Sequence, residues 1–305
     1  MDTIYIRKFP NTCPEHVTEA DGKFVCRETK IFLRSVGCML EELGVRVVNP
    51  LTALEKAALK PLQLMLARKI GFRVPKTLIS NDPEHVIPFA RNLGPCIVVK
   101  TLSPMVWVQD PKRYHQTMAT KIATSELNRN TADIGNCPVL IQELIYKYYD
   151  VKCLVVGDDI LSISIHADDT DSNIIDWRET ILRGSTPELA AVELPDDIRE
   201  KVLRLVRYLG LDVATVDLVY ERKTDEYVFL EVNPTGQWLW MDMRMKNFPA
   251  TRAVASLLTG KKGSAEGPGL LETFSEKEII EAISAVYRGC RPYRPYVTFE
   301  SRRES

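Results

Sequence analysis

The run Val228-Phe229-Leu230-Glu231-Val232-Asn233-Pro234-Thr235-Gly236 limits how this chain can fold more than any other segment. Its apolar start predicts a strand, and Pro234 and Gly236 end that strand and turn the chain. Side chains two apart on a strand share a face, so Glu231 and Asn233 present two oxygen donors side by side. Hard oxygen ligands of this kind suit Mg²⁺. The simpler alternative is a hairpin with a solvated glutamate. A Glu-x-Asn-Pro-x-Gly run followed by Trp238 and Trp240 is too specific for that.

Leu211 to Tyr220 reads as a second strand, with Glu221 to Glu226 as the polar turn between the two. Such a hairpin puts Asp217 beside Glu231. Like charges side by side on a sheet destabilise it unless something neutralises them, and a divalent cation does so. Taken alone, Asp217 would read equally well as an exposed polar strand position.

With 305 residues, 45% hydrophobic content and a net charge of -1, the sequence describes a soluble globular protein with one large domain or two to three subdomains. The neutral balance argues against a nucleic-acid partner, which calls for a basic excess. No apolar run approaches the roughly 20 residues that span a bilayer, and the N-terminus lacks the apolar core of a signal peptide. Seven scattered cysteines, never spaced C-x-x-C, fit a reducing cytoplasm better than a disulfide framework or a zinc site. The four histidines show no metal spacing and are read as structural or surface residues.

Strand and helix patterns alternate along the chain, an α+β (α/β) arrangement. The expected elements are a strand at Thr3 to Ile6, a helix from about Thr29 to Leu43 stopping at Gly44, and a short helix begun by Thr52 and Glu55 at capping-box spacing. Pro61 suits the first position of a further helix that Gly71 closes. Strands follow at Val74 to Ile79 and Cys96 to Thr101, around a helix from Pro83 to Asn92. Residues 102 to 136 read as loop-rich. Val139 to Ile145 and Val151 to Ile165 are strand-rich, and an amphipathic helix covers Pro195 to Leu209 before Gly210. A flexible linker, a helix from Glu276 to Tyr287 and a basic tail close the chain.

Lys100 follows Ile97-Val98-Val99, so it must emerge at a sheet edge or cleft, because a buried unpaired ammonium is costly. Lys60 stands just before its helix, where the N-terminal partial charge adds to its own. As isolated residues, both would read as solvated lysines. Three further motifs draw notice: Gln142-Glu143-Leu144-Ile145 with Lys147, Asp150-Val151-Lys152, and Asp176-Trp177-Arg178. Arg178 offers a planar fork suited to a carboxylate or acyl phosphate, while Trp177 suits packing.

From about Ile4 to Leu258, these motifs resemble the ATP-grasp ligases, and within them the microviridin-type (graspetide) peptide maturases. The resemblance implies an ATP-grasp fold, two subdomains clasping ATP. Asp217, Glu231 and Asn233 would hold Mg²⁺ on the nucleotide, and Lys60 and Lys100 would contact its phosphates. The backbone after Gln142 and Glu143, with Leu144 and Ile145 around it, would receive adenine, and Lys147 is a further nucleotide contact. Asp150-Val151-Lys152 falls where the family has D-x-R or E-x-R. Lysine keeps the charge there and loses the bidentate geometry, which puts carboxylate recognition in doubt. Arg178 and Lys152 are the expected catalytic residues, with Asp150 grouped with the nucleotide contacts.

The family has about seventy residues of α/β domain before the strand that Tyr5-Ile6-Arg7 resembles. The sequence therefore implies a reduced N-terminal lobe, a homodimer or partner subunit completing it, or an incomplete start. The expected divisions are 1–50, a reduced lobe; 51–140 and 141–260, the two ATP-grasp subdomains; and 261–305, linker, helix and tail. The implied chemistry is ATP-dependent activation of a side-chain carboxylate as an acyl phosphate, followed by ester or amide closure in a precursor peptide. The alternatives are a ligase adding amino acids such as glutamate to an acceptor carboxylate, and a nucleotide-binding scaffold without catalysis.

Overall fold

The structure, a computed structural model, describes residues 3–6, 18–103, 106–110, 113–129, 131–167, 175–182 and 184–260. Arg7, the expected linker, the helix from Glu276 and the basic tail lie outside the described residues. The N-terminal part pairs β1 (Thr3–Tyr5) with β2 (Arg46–Val48) in parallel, around α1 (Glu19–Glu42). Helix α1 starts ten residues before the expected Thr29. Its cap is Thr18, whose hydroxyl accepts from the Asp21 backbone N–H at 3.2 Å. Among the described residues of the first half, only Val25 and Cys26 face inward as apolar residues, between Gly22 and Thr29, so the period there is too weak in apolar residues to mark the true start.

Helix α2 (Leu51–Ala57) does not use the Thr52–Glu55 capping box; Pro50 is the cap residue. The orphan N–H of Leu51 is instead accepted by the Glu41 carboxylate at 2.9 Å, and Glu55 pairs with Arg34. Helix α3 (Lys60–Ile70) has Pro61 in its first turn and ends on Gly71 at φ 102, the left-handed C-cap that glycine supplies. Lys60 is thus the helix's own first residue.

The first large sheet has four antiparallel strands: β3 (Thr77–Ser80), β4 (Cys96–Lys100), β7 (Thr120–Ala123) and β8 (Val139–Glu143), in the order β3-β8-β4-β7. Helix α4 (Pro83–Leu93) covers it through Val86 and Ala90, packed on Ile97 and Ile141. The segment expected to be loop-rich contains β7, a hairpin of β5 (Val106–Asp110) and β6 (Arg113–Gln116), a 3₁₀ turn at Thr124–Arg129, and α5 (Thr131–Ile134). An expected division at 140/141 falls inside β8, which belongs to this sheet through Glu143.

The second sheet has five antiparallel strands: β9 (Lys147–Val156), β10 (Asp159–His166), β11 (Glu188–Ala191), β12 (Val213–Glu221) and β13 (Tyr227–Asn233). Their order is β11-β10-β9-β12-β13, so β13 is an edge strand. Alternation along β9 sends Val151, Cys153 and Val155 to one face and Leu154 and Val156 to the other. The first face packs on α3 and on α7 (Asp196–Leu209), through Ile198, Val202, Leu205 and Leu209. The second packs on Trp238, Met241 of α8 (Leu239–Arg244), and Ala250 and Val254 of α9 (Ala250–Thr259). Burial pushes the Cys153 thiol up to about 12, an inert core residue. Among the described residues, no helix is long and apolar enough to cross a membrane.

Candidate functional site

Between the two sheets lies a cavity of about 410 Å³. Every residue expected to hold metal, contact nucleotide or act in catalysis lines it: Lys60, Lys100, Gln142, Glu143, Leu144, Ile145, Lys147, Asp150, Lys152, Arg178, Asp217, Glu231 and Asn233. They come from α3, β4, β8 and the segment after it, β9, β12, β13 and the start of α6 (Arg178–Leu182), and the sheet geometry dictates their convergence.

The hairpin places Asp217 directly opposite Glu231 and Thr215 opposite Asn233. Past that point the register shifts, with Leu218 opposite Phe229, so Leu230 is an extra residue on β13. A bulge of this kind bends the strand and re-aims the side chains beside it. The carboxylates are compensated by lysines of other elements: Glu231 pairs with Lys60, and Asp217 with Lys152. Lys147 pairs with Asp150 at 2.5 Å and donates to the Ile175 carbonyl at 2.7 Å. Lys152 is therefore no free cation aimed at a substrate; it faces Asp217 directly across the β9–β12 ladder.

These pairs shift the titration of the groups. Burial pushes the Asp217 carboxyl up; Lys152 offsets this in part, and Glu231 adds to it. Partial burial would raise Glu231 as well, but Lys60, Lys100 and Lys152 together outweigh it and hold the carboxyl below the usual range. Burial raises Asp150 against the pull of Lys147. Lys100 is lowered by burial, with Glu231 acting in the opposite direction.

At one end, Glu143 is clamped by Arg73 at 3.1 Å and accepts from the Lys76 N–H at 3.1 Å. Burial alone would raise its pKa, and these contacts bring it below the usual range. Arg73 also reaches Glu221 of β12 at 3.5 Å, and its carbonyl accepts from the Phe229 N–H at 2.9 Å, so it ties the two sheets together. Gln142 is buried and donates to Thr77 at 3.0 Å. At the other end, Arg178 pairs with Asp176 of its own motif, and its side chain is 49% exposed. Trp177 packs on Trp240 with ring centroids 5.3 Å apart, as expected of a packing residue. His85 pairs with Asp82 and His166 contacts Ser164, both outside the cavity lining.

Charge tests the fit of a metal-loaded nucleotide. Five cations (Lys60, Lys100, Lys147, Lys152, Arg178) face five carboxylates (Glu143, Asp150, Asp176, Asp217, Glu231) in the cavity. A formally neutral pocket suits a triphosphate whose charge divalent cations offset better than a bare tetra-anion. Two facing carboxylates and one carboxamide oxygen are a hard donor set of the kind Mg²⁺ takes. Among the described residues, no group of three or more His, Cys, Asp or Glu side chains forms a denser metal site.

Three residues of the site had escaped the motif reading: Arg73, Gln63 and Asn49. Gln63 could have been noticed as a polar residue one turn after Lys60 on an otherwise apolar helix face. Asn49, directly before Pro50, stands in no motif.

Residues 55–255 match the family model of the RimK-like ATP-grasp domain. A probable alpha-L-glutamate ligase of Teredinibacter turnerae is 28% identical over 201 residues, 65% of this chain and 62% of that protein. A ribosomal protein bS6–L-glutamate ligase of Escherichia fergusonii is 26% identical over 181 residues, 59% of this chain and 57% of that protein. The chain thus spans under two thirds of the length of these relatives. Among solved structures, the macrocyclase MdnC bound with precursor peptide MdnA, from Microcystis aeruginosa MRC, superposes with a TM-score of 0.74 at 26% identity. That match covers 85% of this chain and 79% of that one. A RiPP-associated ATP-grasp ligase of Chryseobacterium gregarium, in complex with ADP and a leader and core peptide, shares the fold with a TM-score of 0.74 at 23% identity. It covers 88% of this chain and 80% of that one. With about two thirds of its length matched to the family model, the chain belongs to the RimK-like ATP-grasp family.

Proposed function

We propose that this protein is an ATP-dependent ligase that activates a side-chain carboxylate of a ribosomal precursor peptide as an acyl phosphate. A hydroxyl or amine of the same peptide then displaces phosphate, leaving an ester or amide cross-link. The observation that carries this reading is the facing pair Asp217 and Glu231, with Asn233, in one cavity with Lys60, Lys100, Lys152 and Arg178. Mg²⁺, when bound, would neutralise triphosphate charge and draw its oxygens toward these residues.

The rest is positioning. Leu144 and Ile145, beyond the end of β8, offer an apolar slot and backbone groups for adenine. Lys100 has an ammonium to give to phosphate, since among the described residues it forms no ion pair. Lys60 reaches the same region from the first turn of α3. Arg178, half exposed at its end of the cavity, would hold the carboxylate under attack. We place the division of the two halves at 144–146, between β8 and β9.

The peptide substrate is supported by the likeness to a macrocyclase bound with its precursor, covering 85% of this chain. A second reading, addition of an amino acid such as glutamate to an acceptor carboxylate, is favoured by the glutamate-ligase relatives. A scaffold without catalysis is disfavoured by the intact Asp217, Glu231, Asn233, Lys60 and Lys100. The test is to incubate the protein with ATP, Mg²⁺ and an acidic peptide encoded beside it, then weigh the peptide. Loss of one or more waters is the expected result. A gain of an amino-acid residue would select the second reading, and an unchanged mass would reject cross-linking of that peptide.

A further inference from the structure

Among the described residues, strand β13 is the edge of its sheet, and beyond the bridge of Val228 and Phe229 with Arg73 its outward backbone groups have no strand to pair with. At Val232, only 3% exposed, such groups cannot be left to water. Gln63 supplies the missing partner. Its Oε1 accepts from the Val232 N–H at 2.8 Å, and its Nε2 donates to the Val232 carbonyl at 2.8 Å. The carboxamide thus acts as one residue of a further strand. Its other amide hydrogen goes to the Ala57 carbonyl, so the group has a single satisfied orientation. Gln63 is itself 3% exposed, and it sits one turn after Lys60, which pairs with Glu231.

On the other side of Asn233, a second buried carboxamide does the same. Asn49 donates through Nδ2 to the Pro234 carbonyl at 3.1 Å and the Val213 carbonyl at 2.6 Å. Its Oδ1 accepts from the N–H groups of Asp212 and Val213 at 2.8 and 2.9 Å. The backbone is therefore held at 232 and at 234, the residues flanking Asn233, by side chains from outside the sheet. Neither carboxamide belongs to the proposed donor set.

We infer that Gln63 and Asn49 are positioning residues that hold Glu231 and Asn233 in the orientation that takes a divalent cation with nucleotide. The inference rests on the reading of the cavity as an Mg·nucleotide site. Groups that orient ligands from behind typically change metal affinity by about tenfold to a hundredfold when removed. A plain edge-sealing role would cost stability alone.

The experiment compares the wild type, Gln63→Met, Gln63→Glu and, as a control, Asp242→Asn. Asp242 is also buried and accepts from the Ala250 and Thr251 N–H groups at 2.9 and 2.7 Å, but it does not line the cavity. Each protein is melted without ligand, and binding of a fluorescent ADP analogue is then titrated against Mg²⁺. Gln63→Met is expected to raise the Mg²⁺ concentration for half-saturation by about tenfold or more, while Asp242→Asn lowers the melting temperature and leaves that concentration unchanged. Gln63→Glu keeps the acceptor for Val232 N–H and loses both donors; it is expected to shift the Mg²⁺ requirement in the same direction, and it carries the test where Gln63→Met does not fold. A wild-type Mg²⁺ requirement in the folded Gln63 variants would overturn the inference alone. A wild type whose nucleotide binding ignores Mg²⁺ would overturn the site reading and the inference with it.

Discussion

The two walls of the cavity handle charge differently: both pair their acids, Glu143 of the four-stranded wall with Arg73, but only that wall carries a cation with no described ion pair. On the five-stranded wall each acid has a partner from another element or from its own strand: Glu231 with Lys60, Asp217 with Lys152, Asp150 with Lys147. On the four-stranded wall Lys100 reaches the cavity from the end of β4 and, among the described residues, forms no ion pair. A paired wall holds its geometry before any ligand arrives. A half-buried ammonium with no described ion-pair partner, in contrast, is a cost that an arriving anion relieves. The difference assigns the walls distinct tasks under the proposed function: one presents a preorganised donor set, and the other attracts phosphate.

The largest effect should come from the paired wall. Asp217→Asn or Glu231→Gln is expected to abolish turnover while circular dichroism and melting still report a folded protein. Retained turnover in both variants would remove the metal role from this wall.

Lys100→Met should separate binding from stability. Nucleotide affinity is expected to fall by at least about tenfold, the loss of one charge-assisted hydrogen bond, while the ligand-free melting temperature at neutral pH rises by about 2 °C or more. The pH dependence has a definite sign. Burial lowers the folded pKa of Lys100 below its ordinary 10.5, so the unfolded chain binds that proton more tightly and the folded state is penalised at neutral pH. The penalty fades as pH rises toward 10.5, and the advantage of Lys100→Met should fade with it. A variant less stable than wild type at neutral pH would show that Lys100 is already compensated.

A smaller effect tests how tightly the paired wall is built. A Cβ at Gly236 would stand 2.2 Å from the Thr215 hydroxyl oxygen and 2.6 Å from its methyl carbon. Gly236→Ala should therefore destabilise by about 1–3 kcal/mol in urea titrations. Adding Thr215→Ala should restore part of that loss, because it removes those two contacts and leaves one at 2.8 Å to the Thr215 Cβ. Among the described residues, the buried Thr215 hydroxyl has no hydrogen-bond partner, so its own removal is mild. No change on Gly236→Ala would mean that the turn after Asn233 lies loosely on β12.

The same contrast explains what the sequence made legible. The Asp217–Glu231 pairing is local, a hairpin with a short turn, and period-two alternation reveals it. Lys100 was legible because three apolar strand residues precede it, and α3 and α7 because Gly71 and Gly210 close apolar-periodic runs. The bulge at Leu230 was not, since it depends on how two strands settle against each other. Strand β7 pairs with β4 across residues 101–119, which hold a separate hairpin, and four-residue β11 is mostly exposed, so neither carries a usable period. Gln63 and Asn49 were hidden for another reason. A buried carboxamide that binds backbone has no motif spacing, and only the fold shows which carbonyls and amides it meets.

The most direct test of the account follows an oxygen atom. A peptide substrate with heavy oxygen in its side-chain carboxylates is treated with protein, ATP and Mg²⁺, and the products are separated and weighed. Activation as an acyl phosphate predicts ADP and inorganic phosphate, with one heavy oxygen in phosphate for each link formed. Heavy oxygen in AMP, or cross-linked peptide beside unlabelled phosphate, would contradict it.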